Sequence, residues 1–203
     1  MIKNIIFDCG NVLISYDEHY IASFFADDEN DIDLLARVAM ARKYWDAFDA
    51  GALEPETYKK EVKKELPERL FAAACGICDK WTSHCPPIDG MRELARDINA
   101  KGTPLYLLSN FNQRLREEID IVFPELALFN GLVISGEIGM VKPNEEIYRY
   151  ILDKYSLVPE ECIFIDDNKN NIAACEKIGI NGYLFDGDVK KLREYLLVNG
   201  IIE

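Results

Sequence analysis

The sequence predicts an α/β protein, a doubly wound parallel sheet with a helical subdomain inserted after the first strand. Three observations carry this reading. Short apolar runs rich in Ile, Leu, Val and Phe recur at 2–7, 104–108, 132–134, 162–165 and 182–185. Strands of a parallel sheet covered on both faces have this texture. Helical patterns lie between and after them, at 90–100, 112–121, 144–155, 170–178 and 189–197. Strand–helix alternation of this kind gives a parallel sheet with right-handed crossovers. The third observation is a long interruption: residues 16–87 show helical patterns only.

Within that interruption the patterns fall at 17–25, 31–48, 56–66 and 68–81, and predict four helices. Gly51 and Pro55 punctuate the stretch, and Pro86-Pro87 closes it before the sheet resumes. The expected division is therefore a sheet core of 1–15 and 88–203 and a helical insert of 16–87. No internal repeat or low-complexity stretch is present.

Composition narrows the function classes. With 49% hydrophobic and 29% charged residues, the chain reads as globular rather than disordered. A formal net charge of -13 would repel a polyanionic backbone or an anionic membrane surface. No nucleic-acid or membrane partner is expected, whereas a small anionic substrate needs only a local positive site. The first residues run directly into the strand pattern ending at Asp8, unlike a targeting segment, and no apolar stretch reaches the ~18 residues of a membrane span. A cytoplasmic monomer with reduced cysteines is the expectation.

In an open parallel sheet, ligands bind beyond the carboxyl ends of the strands. Polar residues that end apolar runs are therefore the candidates. The first run ends in Asp8, within Phe7-Asp8-Cys9-Gly10-Asn11-Val12, and the second in Leu107-Leu108-Ser109-Asn110. The third is followed by Gly139-Met140-Val141-Lys142-Pro143, and the fourth ends in Phe164-Ile165-Asp166-Asp167-Asn168. Side by side, these ends would gather three carboxylates, a hydroxyl, an amide and one ammonium. Crowded carboxylates raise one another's pKa unless a cation joins them. Oxygen ligands from Asp8, Asp167 and a backbone carbonyl suit Mg2+, which keeps waters and also binds substrate phosphate. Lys142 adds a fixed positive charge, and Ser109 with nearby N–H groups can donate to phosphate oxygens. A nucleophilic carboxylate in a phosphate site fits covalent catalysis through an aspartyl-phosphate.

These four motifs, in this order, resemble those of the haloacid-dehalogenase-like superfamily, and their wording is closest to the branch resembling α-D-glucose-1-phosphate phosphatase. The resemblance implies a Rossmann-like core with a helical cap at 16–87, and a Mg2+-dependent phosphohydrolase acting on a small phosphorylated metabolite such as a hexose 1-phosphate. It implies Asp8 as nucleophile and metal ligand, and Ser109, Asn110 and Lys142 as phosphate-binding residues. Asp167 is implied as a metal ligand, joined by the Gly10 carbonyl, with Asp166 as a further ligand or a water-bridged neighbour. Asn171 stands where many relatives carry another acid.

Gly10 departs from the pattern. Phosphatases of the superfamily usually carry an Asp two residues after the nucleophile, to protonate the leaving oxygen and then activate water. General acid–base assistance contributes ~10²–10⁴-fold. Either a good leaving group such as an anomeric oxygen makes the acid dispensable, or Asp17 or His19 replaces it, or the protein is a weak enzyme with a regulatory or binding role. A further alternative is a metal-independent 2-haloacid dehalogenase, against which the adjacent Asp166-Asp167 argues. Cys75, Cys78, His84 and Cys85 offer soft metal ligands within a short stretch, but a helical turn in an Ala-rich apolar segment suits burial of the thiols better. Tyr16, Arg42, Tyr44, Trp45 and Asp46 of the insert are candidates to face the substrate.

Overall fold

A computed structural model describes residues 1–202. Strand β1 (Asn4–Phe7) is followed by five helices: α1 (Glu18–Ala22), α2 (Glu29–Val38), α3 (Arg42–Asp49), α4 (Pro55–Val62) and α5 (Phe71–Lys80). The chain then alternates through α6 (Met91–Ala100), β2 (Leu105–Ser109), α7 (Leu115–Val122), β3 (Gly131–Ile134), α8 (Ser135–Ile138) and α9 (Glu145–Tyr155). It finishes with β4 (Cys162–Asp166), α10 (Lys169–Lys177), β5 (Asn181–Leu184) and α11 (Val189–Val198). All strand pairs are parallel, in the order β3-β2-β1-β4-β5.

Alternation along the strands explains the two layers. Ile5, Phe7, Leu105, Leu107, Ile163 and Ile165 point to one face of the sheet, into a core continuous with the helices between β1 and α6. Ile6, Tyr106, Leu108 and Phe164 point to the other, against Ile147, Tyr148 and Ile151 of α9. Both faces are covered, so Ile5–Phe7 of β1 and Ile163–Ile165 of β4 are apolar up to the acids at their carboxyl ends.

The expected helix at 31–48 is two helices. Ala41, in extended conformation (φ -60°, ψ 139°), breaks the pattern and stands in the N-cap position of α3. Helical spacing alone cannot reveal such a break, because Ala41 carries no turn signal. α9 begins at Glu145, with Asn144 in the N-cap position but making no side-chain capping hydrogen bond, and the Lys142–Pro143 peptide is cis. No helix among the described residues is long and apolar enough to cross a membrane.

Two backbone contacts fix the helices over the sheet edge. Gly51, just past α3, has φ +66°, and a Cβ there would stand 2.7 Å from the Gly136 carbonyl oxygen of α8. A Cβ on Gly136 would in turn stand 2.8 Å from the Phe111 carbonyl oxygen and the Gln113 nitrogen. Only glycines permit this approach, and it holds the end of α3 close to the loops that follow β2 and β3.

Candidate active site

Register brings the carboxylates together. Phe7 pairs with Ile165 across β1 and β4, so Asp8 and Asp166, each one residue further on, emerge side by side. The Asp8 N–H donates to the Ile165 carbonyl at 2.9 Å, holding the two strand ends together. This lies at the centre of the sheet, between β1 and β4, where the strand order reverses: β2 and β3 are laid down on one side of β1, and β4 and β5 on the other.

The ammonium of Lys142 sits between the two acids, 2.7 Å from Asp8 Oδ1 and 2.7 Å from Asp166 Oδ2. Asp8 Oδ1 also accepts from the Cys9 N–H at 2.7 Å, and no group among the described residues donates to Oδ2. Asp166 is wholly buried and fully engaged: it accepts from the Asn168 N–H at 2.8 Å and from Asn171 Nδ2 at 3.1 and 3.0 Å. Asn171 is thus the amide that orients Asp166. Asp167 is the exposed member of the group, with the Asn11 side chain near enough to favour its charged form. Carboxylate oxygens of Asp8, Asp166 and Asp167 all lie within 4.8 Å of one another.

The electrostatics follow from three acids sharing one ammonium. Burial pushes the Asp8 carboxyl up to about 7 from 3.8; Lys142 pulls it down and Asp166 pushes it up again. Asp167 is raised by burial and by Asp166. Burial works against the Lys142 ammonium, but Asp8 and Asp166 outweigh it and hold its pKa above the usual lysine value. The cluster keeps an excess of negative charge that a divalent cation would relieve. Its donors are all oxygens, the set that suits Mg2+.

Ser109 and Asn110 behave differently from one another. Ser109 is 1% exposed and its hydroxyl has no partner, an orphan that a phosphate oxygen could satisfy. Asn110 does not cap the helix that follows, since α7 begins only at Leu115. Instead Asn110 Nδ2 donates to the Lys142 carbonyl at 2.9 Å and Oδ1 accepts from the Lys142 N–H at 2.7 Å. This two-pronged grip fixes the segment that presents Lys142.

Above the acids lies a cavity of about 450 Å³, floored by Asp8, Gly10, Lys142 and Asp167 and walled by residues of the helices. Tyr16, Arg42, Trp45 and Asp46 line it as the sequence suggests, and Trp81 and Phe111 add an aromatic wall. Trp81 stacks on Phe111 at 4.9 Å and meets Tyr16 and Trp45 edge-on or tilted at 5.5 and 5.9 Å. Tyr44 lies elsewhere, buried against Tyr58 with its hydroxyl on Glu65. Asp17 and His19 are not in the cavity either: Asp17 caps α1, and His19 pairs with Glu29 and Asp33 on an exposed surface. Cys78 and Cys85 are buried thiols pushed up to about 12 by burial, and His84 stacks on Phe24 at 4.2 Å.

The residue that sequence reading misses is Asp49, which lines the same cavity. A signal for it exists. Arg42, Trp45, Asp46 and Asp49 are spaced i, i+3, i+4 and i+7, one face of α3.

Over residues 2–179 the chain matches the family model described as haloacid dehalogenase-like hydrolase. It is 26% identical over 183 residues to a sesquiterpene phosphatase of Aspergillus oryzae, covering 89% of this chain and 88% of that protein. It is 23% identical over 197 residues to a D-ribitol-5-phosphate phosphatase of Bacteroides thetaiotaomicron, covering 90% and 91%. Among solved structures, a HAD-family enzyme of Bacteroides thetaiotaomicron, in complex with magnesium and inorganic phosphate, superposes with a TM-score of 0.72 at 22% identity, covering 95% of this chain and 99% of that one. With its parallel sheet, its acidic strand ends and a match spanning most of its length, the chain belongs to the haloacid dehalogenase-like hydrolases.

Proposed function

We propose that this hydrolase is a Mg2+-dependent phosphatase that works through an aspartyl-phosphate on Asp8. The observation that carries the proposal is the convergence of Asp8, Asp166 and Asp167 around one buried ammonium, beneath a cavity of metabolite size. Asp8 Oδ2, free of protein donors, is the attacking atom. Lys142 holds Oδ1 and so orients the carboxylate, while its charge offsets the negative charge gathering on the transferring group. Ser109 donates its unpartnered hydroxyl to a phosphate oxygen, and Asn110 keeps the Lys142 segment in place and offers its backbone to the same group. Asp8, Asp167 and the Gly10 carbonyl would hold the metal, with Asp166 behind them; when bound, it would screen and orient the phosphate. The helices between β1 and α6 act as a cap that excludes water.

The substrate is a small phosphorylated metabolite, with hexose 1-phosphates first among the candidates. An aromatic wall of Tyr16, Trp45, Trp81 and Phe111 supports a leaving group with an extended apolar face, such as a sugar ring. The two relatives named above are phosphatases of a sesquiterpene and of a sugar-alcohol phosphate, which supports the same reaction class.

The test is phosphate release with Mg2+ from a panel of glucose 1-phosphate, glucose 6-phosphate, D-ribitol 5-phosphate, farnesyl phosphate and p-nitrophenyl phosphate. Asp8→Asn is expected to lower release by on the order of 10³-fold or more, and a chelator to abolish it. Release unaffected by Asp8→Asn would remove the nucleophile from this reading. Turnover of 1-phosphate no faster than 6-phosphate would remove the preference for an anomeric leaving group.

A further inference from the structure

Transfer of a phosphoryl group from an alkyl ester to Asp8 expels an alkoxide, which needs a proton. The floor of the site has none to give. Lys142 is committed to Asp8 and Asp166 at 2.7 Å each, Asp166 is enclosed by its own donors, Asp167 is given to the metal in the phosphatase reading, and Gly10 has no side chain. The proton donor must come from the walls.

From the geometry of the walls we infer that Asp49, at the end of α3, is the general acid and base of this enzyme, reaching down from the cap into the space above Gly10. The inference rests on the phosphatase reading given above. Three observations carry it. Asp49 lines the cavity that also exposes Asp8 and Gly10. Its carboxyl, though half-buried, has no hydrogen-bond or ion-pair partner among the described residues, unlike Asp8 and Asp166. Its position is fixed rather than incidental, because the Gly51–Gly136 backbone contact pins the chain two residues further on against α8. Space for its work exists as well: a Cβ placed on Gly10 would meet nothing within 4 Å.

The other polar groups in the walls are less suited. Arg42 and Asp46 are exposed, and Arg42 pairs with Asp46. The Tyr16 hydroxyl is held well above the usual tyrosine range, chiefly by burial, and so gives up a proton reluctantly. Asp49, by contrast, is pushed up to about 7, first by burial and then by Asp46, with Lys142 and Arg42 pulling it back. Its carboxyl is thus matched to giving and taking a proton near neutral pH.

The steps balance without a further reactant. Asp8 Oδ2 forms a bond to phosphorus as the ester P–O bond breaks, and the departing oxygen takes the Asp49 proton, giving the free alcohol, the aspartyl-phosphate and an Asp49 carboxylate. A water then gives one proton to Asp49 while its oxygen bonds to phosphorus. The Asp8–phosphorus bond breaks, releasing phosphate and restoring both carboxyl groups. An acid of this kind extends the substrates from hexose 1-phosphates to esters of ordinary alcohols.

The experiment compares leaving groups. Wild type, Asp49→Asn and the double variant Gly10→Asp/Asp49→Asn are assayed with Mg2+ on p-nitrophenyl phosphate, whose leaving group needs little protonation, and on the fastest aliphatic ester of the panel above. For Asp49→Asn, kcat/KM, which reports the steps up to departure of the leaving group and not the later hydrolysis of the aspartyl-phosphate that both esters share, is expected to fall by on the order of 10²-fold on the aliphatic ester, and on p-nitrophenyl phosphate by no more than a few-fold. Gly10→Asp in the same chain is expected to restore at least ten-fold of the aliphatic activity, by placing a carboxyl in the open space at that position. Equal losses on both esters would mean that Asp49 binds or supports structure, and no loss on either that it is a bystander; each overturns the inference and leaves the phosphatase reading intact. A wild type inactive on every ester of the panel would overturn both.

Discussion

Lys142 Nζ stands 2.7 Å from Asp8 Oδ1, with almost no exposed surface on the lysine side chain. The same nitrogen touches Asp166, so two buried carboxylates share one buried ammonium, their only cationic partner among the described residues. The strand ends were brought together by register, but the lysine makes the meeting electrostatically possible.

Replacing that lysine by an isosteric apolar side chain therefore tests structure and function together. Lys142→Met should abolish phosphatase activity and destabilise the fold by about 3–5 kcal/mol at neutral pH. The loss should be smaller at pH 5 than at pH 8. Without the ammonium, the carboxyls retain protons in the folded state to higher pH than in the unfolded chain, so stability falls as pH rises. Denaturant unfolding at both pH values checks this; an equal loss would mean that the acids do not depend on Lys142.

Asn171 offers a subtler perturbation. Its Nδ2 donates to both oxygens of Asp166, at 3.1 and 3.0 Å, and Asn171→Asp would replace that donor with a fourth carboxylate. We expect a stability loss of about 1–3 kcal/mol. We further expect Mg2+ to raise the melting temperature of this variant more than that of wild type, since the cation would screen the added charge. Identical Mg2+ responses in thermal melts would count against a cation at this cluster.

Two glycines in the same region should answer differently to alanine. At Gly51 the new Cβ meets the Gly136 carbonyl oxygen at 2.7 Å on a backbone with φ +66°, so Gly51→Ala should destabilise by about 1–3 kcal/mol. It should also slow aliphatic-ester hydrolysis by displacing the end of α3. At Gly10 nothing lies within 4 Å, and Gly10→Ala should shift stability by less than about 0.5 kcal/mol. Parallel melts and kcat measurements on the two variants check the contrast.

Most of the floor of the site is legible in the sequence, because in a parallel sheet a polar residue ending an apolar run has only one edge to occupy. Asp8, Ser109, Asp166 and Asp167 obey that logic, whereas Lys142 reaches the same edge from the segment beyond α8. The walls are less legible for a physical reason. Their residues sit on helices whose placement depends on a break at Ala41 and on the Gly51–Gly136 contact, and neither leaves a periodic signal. Closeness in sequence misled where it replaced geometry: Asp17 and His19 follow β1 most nearly, yet Asp17 is used to cap α1 and His19 turns to Glu29 and Asp33. Asn110 stands at the expected strand end, and its side chain has a task the sequence did not reveal, gripping the Lys142 backbone from both sides.

Asp49 should cost the protein stability, and the pH dependence of that cost is a check independent of turnover. Its folded pKa of about 7 lies above its ordinary 3.8, because burial and Asp46 disfavour the charge more than Arg42 and Lys142 favour it; Tyr16, the other titratable group facing it, stays neutral throughout this range. An acid raised in this way binds its proton more tightly in the folded state. At pH values below its ordinary pKa both states are protonated and the group contributes nothing. As pH rises from about 4 to 7 the unfolded chain ionises first, stability declines, and above 7 the full penalty is in place. Asn cannot ionise, so Asp49→Asn should match wild type near pH 4 and exceed it at pH 8. Allowing for the partial exposure of the carboxyl, the gain should be about 1 kcal/mol, or about 2–4 °C in melting temperature for a chain of this length. A site residue that lowers stability while it serves chemistry is a common trade in enzymes. Melting curves of the two proteins from pH 4 to 8 that run parallel would mean that folding leaves the Asp49 pKa near its ordinary 3.8, and a carboxylate ionised at neutral pH has no proton to lend a leaving group.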